Sequence, residues 1–93
     1  MPRNFSNPEY EKELASWLQK LREEKGISQE ALGIQIGKGQ SDIAKIESGK
    51  KRINVMDVLL WMKALDIGYE RLESILSRIY NSLDGNKSLW DRK

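Results

Sequence analysis

The sequence predicts an all-α bundle of five helices containing a helix-turn-helix, and three observations predict it. Two short segments, Gln29 to Ile36 and Gln40 to Ser48, flank a Gly37-Lys38-Gly39 turn. Longer segments on either side carry apolar residues at helical spacing behind capping residues. The 93 residues suffice for one domain with a small core, and a chain without cysteine has no disulfide to staple it.

Residues 1–7 lack periodicity and read as an N-terminal arm. Ser6 is placed to cap a first helix, with Pro8 in its first turn and Glu9 at the capping-box spacing. This helix is expected to run to about Lys25, with Tyr10, Leu14, Trp17, Leu18 and Leu21 along one face, and Gly26 ends it. Ser28 caps the first short helix, whose inner face holds Leu32 and Ile36. Gly33 interrupts that helix at a cost of about 0.5–1 kcal/mol relative to alanine. Glycines at 37 and 39 admit the left-handed backbone of a tight turn. In the second short helix Ile43 and Ile46 form a narrow apolar stripe, and Gly49 lies just past its end. Asn54 and Asp57 then repeat the capping-box spacing, opening a fourth helix that can turn Val55, Val58, Trp61, Met62 and Leu65 inward. Met56 and Leu60 stay outside. The last helix, about Tyr69 to Leu83, carries Leu72, Ile75, Leu76, Ile79, Tyr80 and Leu83. Residues 8–84 thus make the domain and 85–93 a C-terminal tail in which Trp90 has no assigned place.

Two helices crossing steeply over such a turn form the DNA-binding helix-turn-helix, whose second helix lies in the major groove. Let the buried direction fall midway between Ile43 and Ile46, at about 100° per residue. Ser41, Ala44, Lys45 and Ser48 then point outward, with Gln40 at the side of the first turn. An ordinary solvated face more often carries Glu and Lys in opposite-charge pairs. Glutamine pairs bidentately with adenine, serine bonds either base type, and alanine touches a thymine methyl. Asp42 has two readings: it accepts from the N-cap amide at the positive end of the helix dipole, or it accepts from a cytosine amino group. The cap is favoured because it needs no partner.

The net charge of +2 says little by itself. Its distribution says more. Residues 1–25 hold five basic and five acidic side chains, and residues 53–93 hold six of each. Residues 38–52 hold Lys38, Lys45, Lys50, Lys51 and Arg52 against Asp42 and Glu47, a net +3. The excess therefore falls on the second short helix and the loop after it, as a DNA footprint would. One cation would complement the carbonyl end of the helix; the run Lys50-Lys51-Arg52 favours phosphate contact. Catalysis has little to stand on. Without His or Cys the commonest general base, the thiol nucleophile and the N/S zinc sites are missing, so no enzyme activity, metal or cofactor is expected. Gly37-Lys38-Gly39 has neither the spacing nor the strand of a phosphate loop. No apolar run approaches the ~20 residues of a membrane span, and no secretory segment is evident, so a cytoplasmic protein is expected.

The residues Leu21-Arg22, Lys25-Gly26-Ile27-Ser28-Gln29, Leu32, Gly37, Gln40-Ser41, Ile43, Lys45-Ile46-Glu47, Gly49-Lys50 and Ala64-Leu65 resemble the lambda-repressor-like Xre/Cro family of helix-turn-helix proteins. The resemblance spans roughly Leu14 to Leu76. It implies that Gln29 holds a phosphate, that Gln40, Ser41 and Lys45 face the bases, and that Lys50 and its neighbours lie on the DNA backbone. It also implies a structural ion pair between Arg22 and Glu47. Family domains commonly stop near Leu76, which makes the last helix extended and leaves Ile79, Tyr80 and Leu83 surplus to the scaffold. Those residues either fold back on the Tyr10 and Trp17 face or, with Met56 and Leu60, form a homodimer contact.

The expected protein is a sequence-specific transcriptional regulator of double-stranded DNA, a repressor binding a palindromic operator as a homodimer. Gln29, Lys38, Lys50, Lys51 and Arg52 would hold phosphates, and Gln40, Ser41 and Lys45 would read bases. A second reading is the antitoxin of a toxin–antitoxin pair, whose surplus apolar residues bind a protein partner while it binds its own promoter. A third is non-specific architectural binding.

Overall fold

The computed structural model describes residues 8–84 as five helices with no strand among them: α1 Pro8–Glu24, α2 Gln29–Ile36, α3 Gln40–Glu47, α4 Val55–Ala64 and α5 Tyr69–Asp84. The expectations for Ser6 and Trp90, and for the arm and tail, lie outside the described residues, as does the Leu83 side chain.

The breaks between helices follow local chemistry. Gly26, Gly37 and Gly49 all take positive φ, at 70°, 75° and 82°, where a β-carbon is strained. The Ser28 side chain caps α2 by accepting from Ala31 N–H at 3.0 Å. Asn54 and Asp57 form the reciprocal capping box that opens α4: Asp57 N–H donates to Asn54 Oδ1 at 2.8 Å, and Asn54 N–H to Asp57 Oδ2 at 3.5 Å.

All five helices contribute to one core. Leu18 and Leu21 of α1, Leu32 of α2, Ile43 and Ile46 of α3, Val58, Trp61 and Met62 of α4, Leu65 at its end, and Leu72 and Ile75 of α5 are buried together. Trp61, wholly buried, satisfies its indole N–H on the Leu18 carbonyl at 3.1 Å, so its large apolar body is buried without an orphaned donor. The helix-turn-helix pair packs α3 on α1 and α2 on α4, while α5 lies along α1.

Several expectations about facing need correction. Val55 was expected inside and is 72% exposed. The stripe Val58, Trp61, Met62, Leu65 sets the core direction of α4, and Val55 lies about 70° to one side of it. Ile79 was a candidate dimer residue, yet it packs, partly buried, against the core. Fold-back therefore accounts for Ile79, whereas Met56, Leu60 and Tyr80 are exposed. No helix among the described residues is long and apolar enough to cross a membrane.

Candidate nucleic-acid interface

Ile43 and Ile46 anchor α3 with no exposed area, which turns the opposite side outward. Gln40, Ser41, Lys45 and Ser48 are exposed there and Ala44 is half-buried. The structure thus brings the three expected base-reading residues together on one uncovered face.

Beneath that face runs a chain of hydrogen bonds. Arg22 forms a two-pronged pair with Glu47, Nε to Oε2 at 2.6 Å and Nη2 to Oε1 at 3.0 Å, and its Nη1 donates to the Ile27 carbonyl at 2.7 Å. Gln29 Nε2 donates to the same Glu47 Oε1 at 3.0 Å, and Gln40 Nε2 donates to Gln29 Oε1 at 2.6 Å. The pair is buried, and the hydrogen bond to Glu47 raises the Arg22 pKa against the opposing effect of burial. Arg22 therefore stays a cation. The consequence for the site is orientation: a fixed charge pair holds Gln29, and Gln29 holds the amide of Gln40. That amide keeps its oxygen and one N–H free, the two groups a bidentate contact with adenine uses. The link between Gln29 and Gln40 was not anticipated from sequence; the signal available was two amides at the starts of adjoining helices.

The basic residues divide by their partners. Lys45 and Lys50 are exposed and have no ion-pair partner among the described residues. Lys51 sits 3.5 Å from Asp42, and Arg52 sits 3.4 Å from Glu11, both at the surface. Exposed pairs are weak enough for a phosphate to displace the carboxylate. Asp42 makes no hydrogen bond to the Gly39 N–H, so its expected capping role is replaced by the pair with Lys51. Lys38 departs furthest from expectation. Its ammonium turns inward to Asp57 Oδ1 at 3.3 Å, and the two side chains are only 22% and 6% exposed. The structure therefore places the Lys38 ammonium against another helix of the protein, apart from the exposed Lys45 and Lys50.

A second surface lies across α4 and α5. Val55 and Leu59 of α4, Leu72 and Leu76 of α5, and Leu14, Ile53 and Val58 line an open apolar groove of about 120 Å³. Tyr69, Met56, Leu60 and Tyr80 are further exposed apolar side chains on the same two helices. Leu59, Tyr69 and Leu76 were not singled out from the sequence for this surface. The available signal was that α4 is apolar nearly all round, more than one stripe can bury.

An exposed polar helix face over a buried anchor, beside unpaired lysines, defines a DNA-binding protein of the helix-turn-helix class. Residues 18–72 match the family model described as helix-turn-helix, and the chain belongs to that family, the Xre/lambda-repressor-like DNA-binding transcriptional regulators. Solved structures agree. The chain is similar to the restriction-modification controller protein C.AhdI from Aeromonas hydrophila at 30% identity, with a TM-score of 0.62 over 66% of this chain and 88% of that one. A point mutant of the restriction-modification controller protein C.Esp1396I shares 25% identity, with a TM-score of 0.65 over 76% and 95%. The clp gene regulator ClgR from C. glutamicum, at 16% identity, shares the fold with a TM-score of 0.66 over 80% and 95%. No curated protein matches the chain.

Proposed function

We propose that this protein is a sequence-specific repressor that binds a palindromic operator as a homodimer. The observation that carries the reading is the α3 face, where Gln40, Ser41 and Lys45 stand exposed while the Arg22–Glu47–Gln29 chain aims the Gln40 amide. Lys45 sits beside bases, Lys50 binds phosphate, and Lys51 and Arg52 exchange surface carboxylates for phosphates as DNA approaches. Gln29 has one amide N–H left for a phosphate near the start of α2. The apolar α4–α5 surface supports the dimer, since two recognition helices must span half-sites about 34 Å apart. The similarity to restriction-modification controller proteins supports a regulatory role.

Selection from a random oligonucleotide pool should return a two-fold symmetric site. On that site Gln40→Ala should cost about 1–3 kcal/mol and relax preference at one base pair. Unchanged binding and specificity in a competition assay would displace α3 from the recognition role. Random DNA competing as well as any selected site would instead make the protein a non-specific architectural binder.

A further inference from the structure

The turn that feeds the recognition helix rests on the α2 backbone at Gly33 and on one side chain that turns inward. A β-carbon built on Gly37 or on Gly39 would meet nothing within 4 Å, so no neighbouring side chain grips the turn at those two positions. Gly39 is the N-cap of α3 and supplies no side-chain cap. Between them Lys38 donates its backbone N–H to the Gly33 carbonyl at 2.8 Å and sends its side chain inward to Asp57, in the first turn of α4. Asp57 is itself fixed by the reciprocal box with Asn54. A largely buried ammonium on a largely buried carboxylate therefore ties the turn to the start of a different helix.

We propose that Lys38 is a positioning residue for DNA reading: its pair with Asp57 sets where the first turn of α3, carrying Gln40 and Ser41, meets the base edges. The proposal rests on the DNA-binding reading above. Base readout is sensitive to such a strut, because recognition groups must be held within about 0.5 Å by the residues behind them. Lys38 touches no DNA in this scheme, which separates it from Lys50.

The experiment titrates the full chain and its variants against the selected site and against a random duplex, over a series of salt concentrations. Lys38→Met keeps the apolar stem and removes the charge; helical circular dichroism confirms that it is folded at the assay temperature. It should lower affinity for the selected site about tenfold, the size of one coupled contact, with the salt slope unchanged. Affinity for the random duplex should be unaltered. Lys50→Met should weaken binding to both DNAs and flatten the slope by nearly one. Asp57→Asn should repeat the Lys38→Met pattern, and the double variant should lose no more than either single one. Lys38→Arg should restore most of the site affinity if Asp57→Asn does not fold. Equal losses on both DNAs with a flattened slope would make Lys38 a phosphate contact and overturn the proposal, as would no loss on either. Failure of the unsubstituted protein to select any sequence would defeat the DNA-reading function itself, whatever the variants do.

Discussion

Glu47 does more than any other single residue to join stability to function in this molecule. Its two oxygens accept from Arg22 and Gln29, and through Gln29 they govern Gln40. Removing one member of a buried ion pair leaves the other charge without compensation, at about 3–5 kcal/mol. In a domain whose whole stability is about 5–15 kcal/mol, that is a large share. Glu47→Ala should therefore lower the stability measured by urea denaturation by about that amount and free the Gln40 amide. Replacing both charges by apolar residues, Arg22→Met with Glu47→Leu, should recover most of the stability but none of the alignment of Gln40. Losses that simply add in the double variant would show that the pair is not coupled. Because the hydrogen bond raises the Arg22 pKa, its contribution is present below the ordinary arginine value and is lost only as pH rises through the raised one. Stability should not fade from this source between neutral and mildly basic pH.

At the scale of the element, the turn between α2 and α3 explains a glycine that propensity alone makes a flaw. Alanine is favoured over glycine in a helix by up to about 1 kcal/mol. At Gly33, however, a β-carbon would collide with the Lys38 carbonyl oxygen and sit 3.3 Å from its carbon. The backbone there has little room to yield, because Lys38 and Gly37 both donate N–H to the Gly33 carbonyl. Overpacking against backbone costs about 1–3 kcal/mol and outweighs the propensity gain. Gly33→Ala should lower Tm by roughly 4–8 °C per kcal/mol lost, read by thermal melting; a higher Tm would show that propensity wins. The sequence discloses that Gly33 is unusual but not that the returning chain touches it, since that contact is made in three dimensions. The same division runs through the other elements. Ser28, Gly37, Gly49 and the Asn54–Asp57 box were legible because each acts on backbone a few residues away. The Lys38–Asp57 pair was not foreseen because a turn lysine is normally solvated, and its carboxylate partner lies in another helix. The α3 face was readable from two isoleucines, whereas the Gln29–Gln40 bond depends on how α2 and α3 cross.

At the scale of the whole molecule, five helices enclose one core and, among the described residues, still leave a second apolar surface open. Around α5, Tyr69, Leu76 and Tyr80 fall at i, i+7 and i+11, one flank beside the buried Leu72 and Ile75. On α4, Val55 and Leu59 border the same groove, with Met56 and Leu60 beyond them. Asp57 leaves α4 on the opposite flank, toward Lys38, so a single helix separates the apolar surface from the Lys38–Asp57 pair. Large contiguous apolar patches on a soluble protein mark interaction sites, and a second copy is the occupant that also brings two recognition helices to one duplex. Sedimentation should then show a dimer whose proportion rises with protein concentration. Leu59→Glu puts a carboxylate into the proposed interface from each copy, while the side chain is exposed enough in the monomer to leave folding intact. The variant should sediment as a monomer and bind the full palindrome at least tenfold more weakly, with half-site affinity unchanged, since linked half-sites gain from effective concentration. A native protein that stays monomeric at high concentration, both free and on its selected site, would leave this surface to a different protein partner and give each recognition helix its operator alone.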